Sequence, residues 1–139
     1  VDMHYWQLGQ QQNKTLGGLE TLDEHLAVLD AMNQLDADEV ISSALRDIDK
    51  IAAMLDDMIA AWRSGDVAAL DKLFLTEMQQ YPEMEAILLT KRNHAWMQTL
   101  TTLEQNNVMV LVGALHLPGK DGLLKLLADQ GYSLTQLTE

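Results

Sequence analysis

Val108-Met109-Val110-Leu111 runs straight into Val112-Gly113-Ala114-Leu115-His116-Leu117-Pro118, and this stretch constrains the fold more than any other. An unbroken apolar run bounded by turn residues reads as a strand buried on both faces, as in a parallel sheet. A helical pattern follows, so His116 falls in the turn leaving the strand's carboxyl end. In open α/β sheets that edge collects ligands and catalytic groups. Gly113, three residues earlier, permits a sharp turn or the close approach of a ligand.

A chain of 139 residues is long enough for one domain with its own core. Its formal net charge of −12 argues against nucleic acid or an anionic membrane as partner, since neutralising phosphates requires clustered Lys and Arg. The charge suits a cation site and equally a solvated acidic surface. There is no cysteine, which removes disulfides, thiolate catalysis and Cys-type zinc sites. No apolar run approaches the ~20 residues of a spanning helix. The start shows no charged and apolar targeting pattern, and it begins with Val1, so a processed or trimmed product is expected.

The pattern predicts a helix over 2–12 and a short strand over 15–19 carrying Gly17-Gly18. A helix follows from about Leu22 to Asn33, capped by Thr21 or Asp23. Ile41, Leu45, Ile48, Ala52, Leu55, Ile59 and Trp62 recur at spacings of four and three. That is an apolar stripe on one long helix, 36–63, with Asp36 and Glu39 as a capping-box variant and Arg63-Ser64-Gly65 as its end. The stripe reads as a core-packing face or as a dimerisation seam. A short helix runs from Asp66 to near Leu75, and Pro82 opens another that reaches about Gln105. A helix over 121–129, closed by Gly131, and a last strand over 132–137 complete a βαβ-like unit with 108–112. The expected fold is α/β and helix-rich, with a small, mostly parallel sheet covered by helices.

Two polar residues hold equivalent places: Glu20 after Gly17-Gly18-Leu19, and His116 after Gly113-Ala114-Leu115. On neighbouring parallel strands their side chains would converge, as a divalent-metal site or an acid–base pair. Each also has a plainer reading, His116 as a hydrogen-bonding turn residue and Glu20 as a first-turn helix carboxylate. Arg92 has Leu88, Leu89, Ala95 and Trp96 three and four residues away. A guanidinium in such company takes an anionic partner (Glu20, a substrate carboxylate or an oxyanion) or extends its head to water. Asn93 points into the same site or faces solvent. His25, about one and a half turns beyond Glu20, reads as solvent-facing or as reaching the same edge, while His4 and His94 have no supporting context. No phosphate-cradling loop and no Gly-x-Ser-x-Gly elbow is present.

Gly18-Leu19-Glu20-Thr21, the pair Arg92-Asn93 followed by Trp96, the element Val112 to Leu117 with Gly119, Gly122-Leu123-Leu124 and Gly131-Tyr132, and Trp62 with Gly65-Asp66 together resemble the TraB/GumN family. That family is related to the Tiki metalloproteases and more distantly to the ChaN and erythromycin-esterase type of fold. The resemblance covers nearly the whole chain. It implies that Glu20, Arg92 and His116 belong to one metal-dependent hydrolytic site, with His116 and Glu20 as candidate metal ligands. Glu20 would ligate a divalent ion or act as base toward its water, and Arg92 would stabilise a developing oxyanion.

The family's earlier Gly-x-x-His element has no match here, and His25 stands where members commonly carry Gln. The first departure implies that residues 1–139 are the C-terminal half of a longer domain and inactive alone, with at most weak metal binding, and the second leaves open an altered ligand set. The resemblance also implies a peptide or small-molecule substrate and an extracytoplasmic setting in bacteria. Two alternatives stay open: a non-catalytic peptide or small-ligand binding module, and a helical scaffold forming homodimers through the 41–62 stripe.

Overall fold

The computed structural model describes residues 1–34, 37–46, 48–78, 81–104 and 107–137, and every regular element among them is helical. The helices are α1 (Asp2–Gln11), α2 (Leu22–Asn33), α3 (Ala37–Arg46), α4 (Ile48–Ser64), α5 (Val67–Met78), α6 (Pro82–Glu85), α7 (Lys91–Leu100) and α8 (Leu123–Asp129). A π turn, Ala86–Thr90, joins α6 to α7, and a 3-10 turn, Ala114–His116, lies in the approach to α8. Expected helices 2–12, 22–33 and 121–129 are present within a few residues. The long helix expected over 36–63 is described as α3 and α4 on either side of residue 47, and its Asp36 cap lies outside the described residues. The helix opened by Pro82 is interrupted by the π turn and ends at Leu100, short of the expected Gln105. Gln105 too is outside the described residues.

The α/β expectation is overturned: among the described residues there is no strand and no sheet. A strand is defined by its partner, and no main-chain hydrogen bond ties residues 108–112 to another described segment. Nor is that run enclosed, because Val108, Met109, Val110 and Leu111 are 40–65% exposed. Apolar content alone mistook a run that contributes a single residue to the core for a two-sided buried strand. Segments 15–19 and 132–137 likewise form no ladder.

What replaces the sheet as organiser is a small apolar cluster, Trp96 and Leu100 of α7 with Leu123 of α8. Leu19, Met97 and Val112 pack against it. Leu19 immediately precedes Glu20, and Val112 precedes the turn that carries His116. The apolar residue of each segment thus anchors the polar residue that follows it beside Trp96.

Gly113 does not supply the sharp backbone expected of it. Its φ of −60° is open to any residue, and an added Cβ would meet the His116 ring at an ordinary 3.5 Å. The demanding position is Gly122, the N-cap of α8, where a Cβ would lie 1.9 Å from the Pro118 carbonyl oxygen and 2.4 Å from that of Leu117.

Candidate functional site

Glu20 is placed by the start of α2. The Thr21 hydroxyl accepts from the Glu24 amide at 3.2 Å, and Glu24 accepts in return from the Thr21 amide at 2.6 Å, forming a capping box. Of the two caps the sequence allowed, Thr21 is the one used, and it fixes how the chain leaves Glu20.

Arg92 rises from the first turn of α7 directly after the π turn. Its Nη1 donates to the Leu88 carbonyl within that turn at 3.1 Å. This leaves Nε and Nη2 for Glu20, which they reach at 3.0 and 2.8 Å on separate carboxylate oxygens. Glu20 was one of the partners the sequence allowed for Arg92, and the two are paired. His25 Nδ1 lies 2.8 Å from Oε1, and Trp96 Nε1 donates to Oε2 at 3.2 Å. Two nitrogens therefore address each oxygen. With the His25 nitrogen donating, an ionised carboxylate's roughly four lone-pair sites are all taken.

Partial burial works against the charge on Glu20. The Arg92 and His25 hydrogen bonds, the guanidinium charge and the Trp96 N–H outweigh it, and hold the carboxyl at about 2 against an ordinary 4.5. The guanidinium carbon also sits 4.8 Å from the centre of the Trp96 ring.

Trp96 carries the arrangement across to His116, whose ring centre is 4.4 Å from its own with the planes 38° apart. His116 is buried, 7% exposed, and its Nδ1 is 2.7 Å from Asn93 Oδ1. Burial first, and then the Arg92 charge, push its pKa down to about 4 despite the opposing pull of Glu20. The imidazole is neutral at pH 7. No described group hydrogen-bonds Nε2, and it is not a sealed, unpartnered atom.

The structure thus brings Glu20, Arg92 and His116 around one tryptophan, although no sheet edge does the gathering. His94 Nε2 lies 2.9 Å from Asp121 Oδ1, a partner that spacing gave no means of seeing. His25, for which the sequence allowed either a solvent-facing place or a reach to the edge of Glu20, touches Glu20. Trp96 and Asn93 matter more than the sequence indicated, Trp96 by linking the two polar centres and Asn93 by holding His116. The available signal was their spacing: Trp96 is four residues after Arg92 and three after Asn93, on adjoining rows of one helix.

A cavity of about 590 Å³ opens beside Glu20 between α2 and α7, with Ala27, Val28 and Ala95 as apolar lining and Glu24, Lys91 and Thr99 as polar lining. His116 is not among its walls. Among the described residues no group of three or more His, Asp or Glu side chains is arranged to hold a metal. No described helix is long and apolar enough to cross a membrane.

A family model described as TraB/PrgY/gumN matches residues 1–136. No curated protein and no solved structure matches the chain.

Proposed function

The chain belongs to the TraB/PrgY/gumN family, and from that premise we propose that it carries the C-terminal half of a divalent-metal-dependent hydrolytic site of peptidase type, with His116 as its working group. The observation carrying this reading is the state of the imidazole: buried, neutral at pH 7, held through Nδ1, with Nε2 uncommitted.

The donor set separates the two candidate ligands. Glu20 does not fit, because four nitrogens occupy its oxygens and a guanidinium stands 2.8 Å away. The same saturation disqualifies it as a base toward water. His116 Nε2 does fit, since metal-bound histidines characteristically give their other nitrogen to an oxygen acceptor. A base role suits His116 less, because a pKa of about 4 is far below the operating range of a general base. A divalent cation held through Nε2 would supply Lewis acidity and lower the pKa of water toward neutrality. One nitrogen is a third of the usual catalytic shell, so residues 1–139 alone should bind metal weakly and turn nothing over.

The chain's other residues hold the frame. Glu20 and Arg92 tie the start of α2 to α7, and Trp96 walls one side of the imidazole. In the intact protein, chelation should abolish peptide hydrolysis, and His116→Ala should lower kcat/KM by at least about a hundredfold. Undiminished activity in His116→Ala would remove that residue from the mechanism. Binding without turnover in the unaltered protein would turn the reading into a peptide-binding module.

A specific observation favours self-association as a second property. Ile41, Leu45, Ile48, Leu55, Ile59 and Trp62 are all 48–64% exposed. On α4, Ile48, Leu55, Ile59 and Trp62 recur at spacings of seven, four and three along one side of the helix, and a second copy of the same helix is the occupant such an exposed apolar row fits. The expected result is a weak dimer in sedimentation equilibrium, abolished by Leu55→Lys with helicity unchanged. A monomer at all concentrations would end this reading.

A further inference from the structure

Asn93 is the most buried polar residue described, only 2% exposed, and what its contact does to the His116 imidazole is decided by its other partners. Its Nδ2 lies 2.8 Å from the Asp121 carbonyl oxygen and 3.3 Å from that of His116. A carbonyl can only accept, so these two oxygens fix which face of the amide is NH₂. Oδ1 must then be the atom 2.7 Å from His116 Nδ1. An amide oxygen also only accepts, so the proton must sit on Nδ1. The lone pair is left on Nε2, and the Trp96 ring at 4.4 Å restrains the imidazole from turning over.

We propose that Asn93 is a positioning residue that selects the Nδ1–H tautomer of His116, its own orientation being set by the main chain of the 116–121 loop. The inference rests on His116 being the working group, but its logic runs through hydrogen-bond polarity alone. Two backbone carbonyls dictate a side-chain amide, the amide dictates an imidazole tautomer, and the tautomer decides which nitrogen can meet a ligand. Either tautomer would fill the space equally well, so packing alone would not make this choice.

The test is ¹⁵N NMR of histidine-labelled protein at pH 7, where two-bond correlations within the ring distinguish the tautomers. Wild-type His116 should be at least about tenfold in favour of Nδ1–H. Asn93→Ala should relax that preference to a mixture, and so should Asn93→Leu, which keeps the side-chain volume and removes the amide. An Nε2–H ring in the wild type would overturn the proposal. So would an Asn93→Ala or Asn93→Leu protein still wholly Nδ1–H. Should neither variant fold, the tautomer of the wild-type ring decides the matter. None of these readings depends on hydrolysis, so failure of the hydrolase proposal and failure of this one are told apart.

Discussion

Arg92→Met should destabilise the protein by about 2–3 kcal/mol and flatten the acid side of its stability profile. The change keeps the length of the stem and removes the charge that faces Glu20. Breaking a fully buried pair by removing one partner costs about 3–5 kcal/mol. Here both side chains are 18–19% exposed, so some water reaches the orphaned carboxylate and the figure is discounted.

The pH dependence follows from the direction of the Glu20 shift. Its folded pKa, about 2, lies below the unfolded 4.5. Its contribution to stability is therefore complete above about 4.5 and is lost as pH falls from there through about 2. Urea titrations at intervals from pH 7 to pH 2 should show a fall on the order of 2 kcal/mol attributable to Glu20 in the wild type, and much less in Arg92→Met. In the double variant with Glu20→Gln the two losses should be clearly less than additive. Simple additivity would mean that the pair contributes nothing of its own.

Gly122→Ala should be at least as damaging, costing about 3 kcal/mol or more and lowering the melting temperature by roughly 10 °C. The added methyl would fall 1.9 Å from the Pro118 oxygen and 2.4 Å from the Leu117 oxygen. These are main-chain atoms that cannot swing aside. The Leu117 carbonyl accepts from the Leu124 amide at 3.2 Å, and the neighbouring Asp121 carbonyl accepts from Asn93. Forcing the loop open should therefore unseat the start of α8 and Asn93 together. Gly113→Ala is the matched control, expected to cost well under 1 kcal/mol because its Cβ meets only an ordinary contact. Equal damage from both would show that the loop is not packed in this way.

The parts of this molecule legible from its sequence are those decided locally. The helix over Leu22–Asn33 announced itself through Thr21, and Pro82 marked its helix through a fixed φ and a missing N–H. The convergence of Glu20 and His116 is legible as well, but for the wrong reason, and Arg92 joins them through its apolar neighbours and the family resemblance. Two parallel strands suggest the convergence, whereas Leu19 and Val112 seat the two segments on one cluster of α7 and α8. Apolar content points to a sheet here because it reports a wish for burial and says nothing about a pairing partner. Residues 108–111 remain exposed and unpaired among the described residues. The π turn was hidden for a similar reason: an i→i+5 turn leaves the apolar content of a helix unchanged. Pairings such as His94 with Asp121, 27 residues apart in sequence, are visible only once the chain is folded.

The claim on which the rest depends is that Glu20 is a saturated structural anion, leaving the His116 nitrogen as the group open to a ligand. Following the Glu20 carboxyl carbon by ¹³C NMR from pH 7 downward tests this directly. The account predicts a carboxyl that stays ionised past pH 3, with a midpoint near 2. A midpoint close to 4.5, as for a carboxylate free in water, would contradict it.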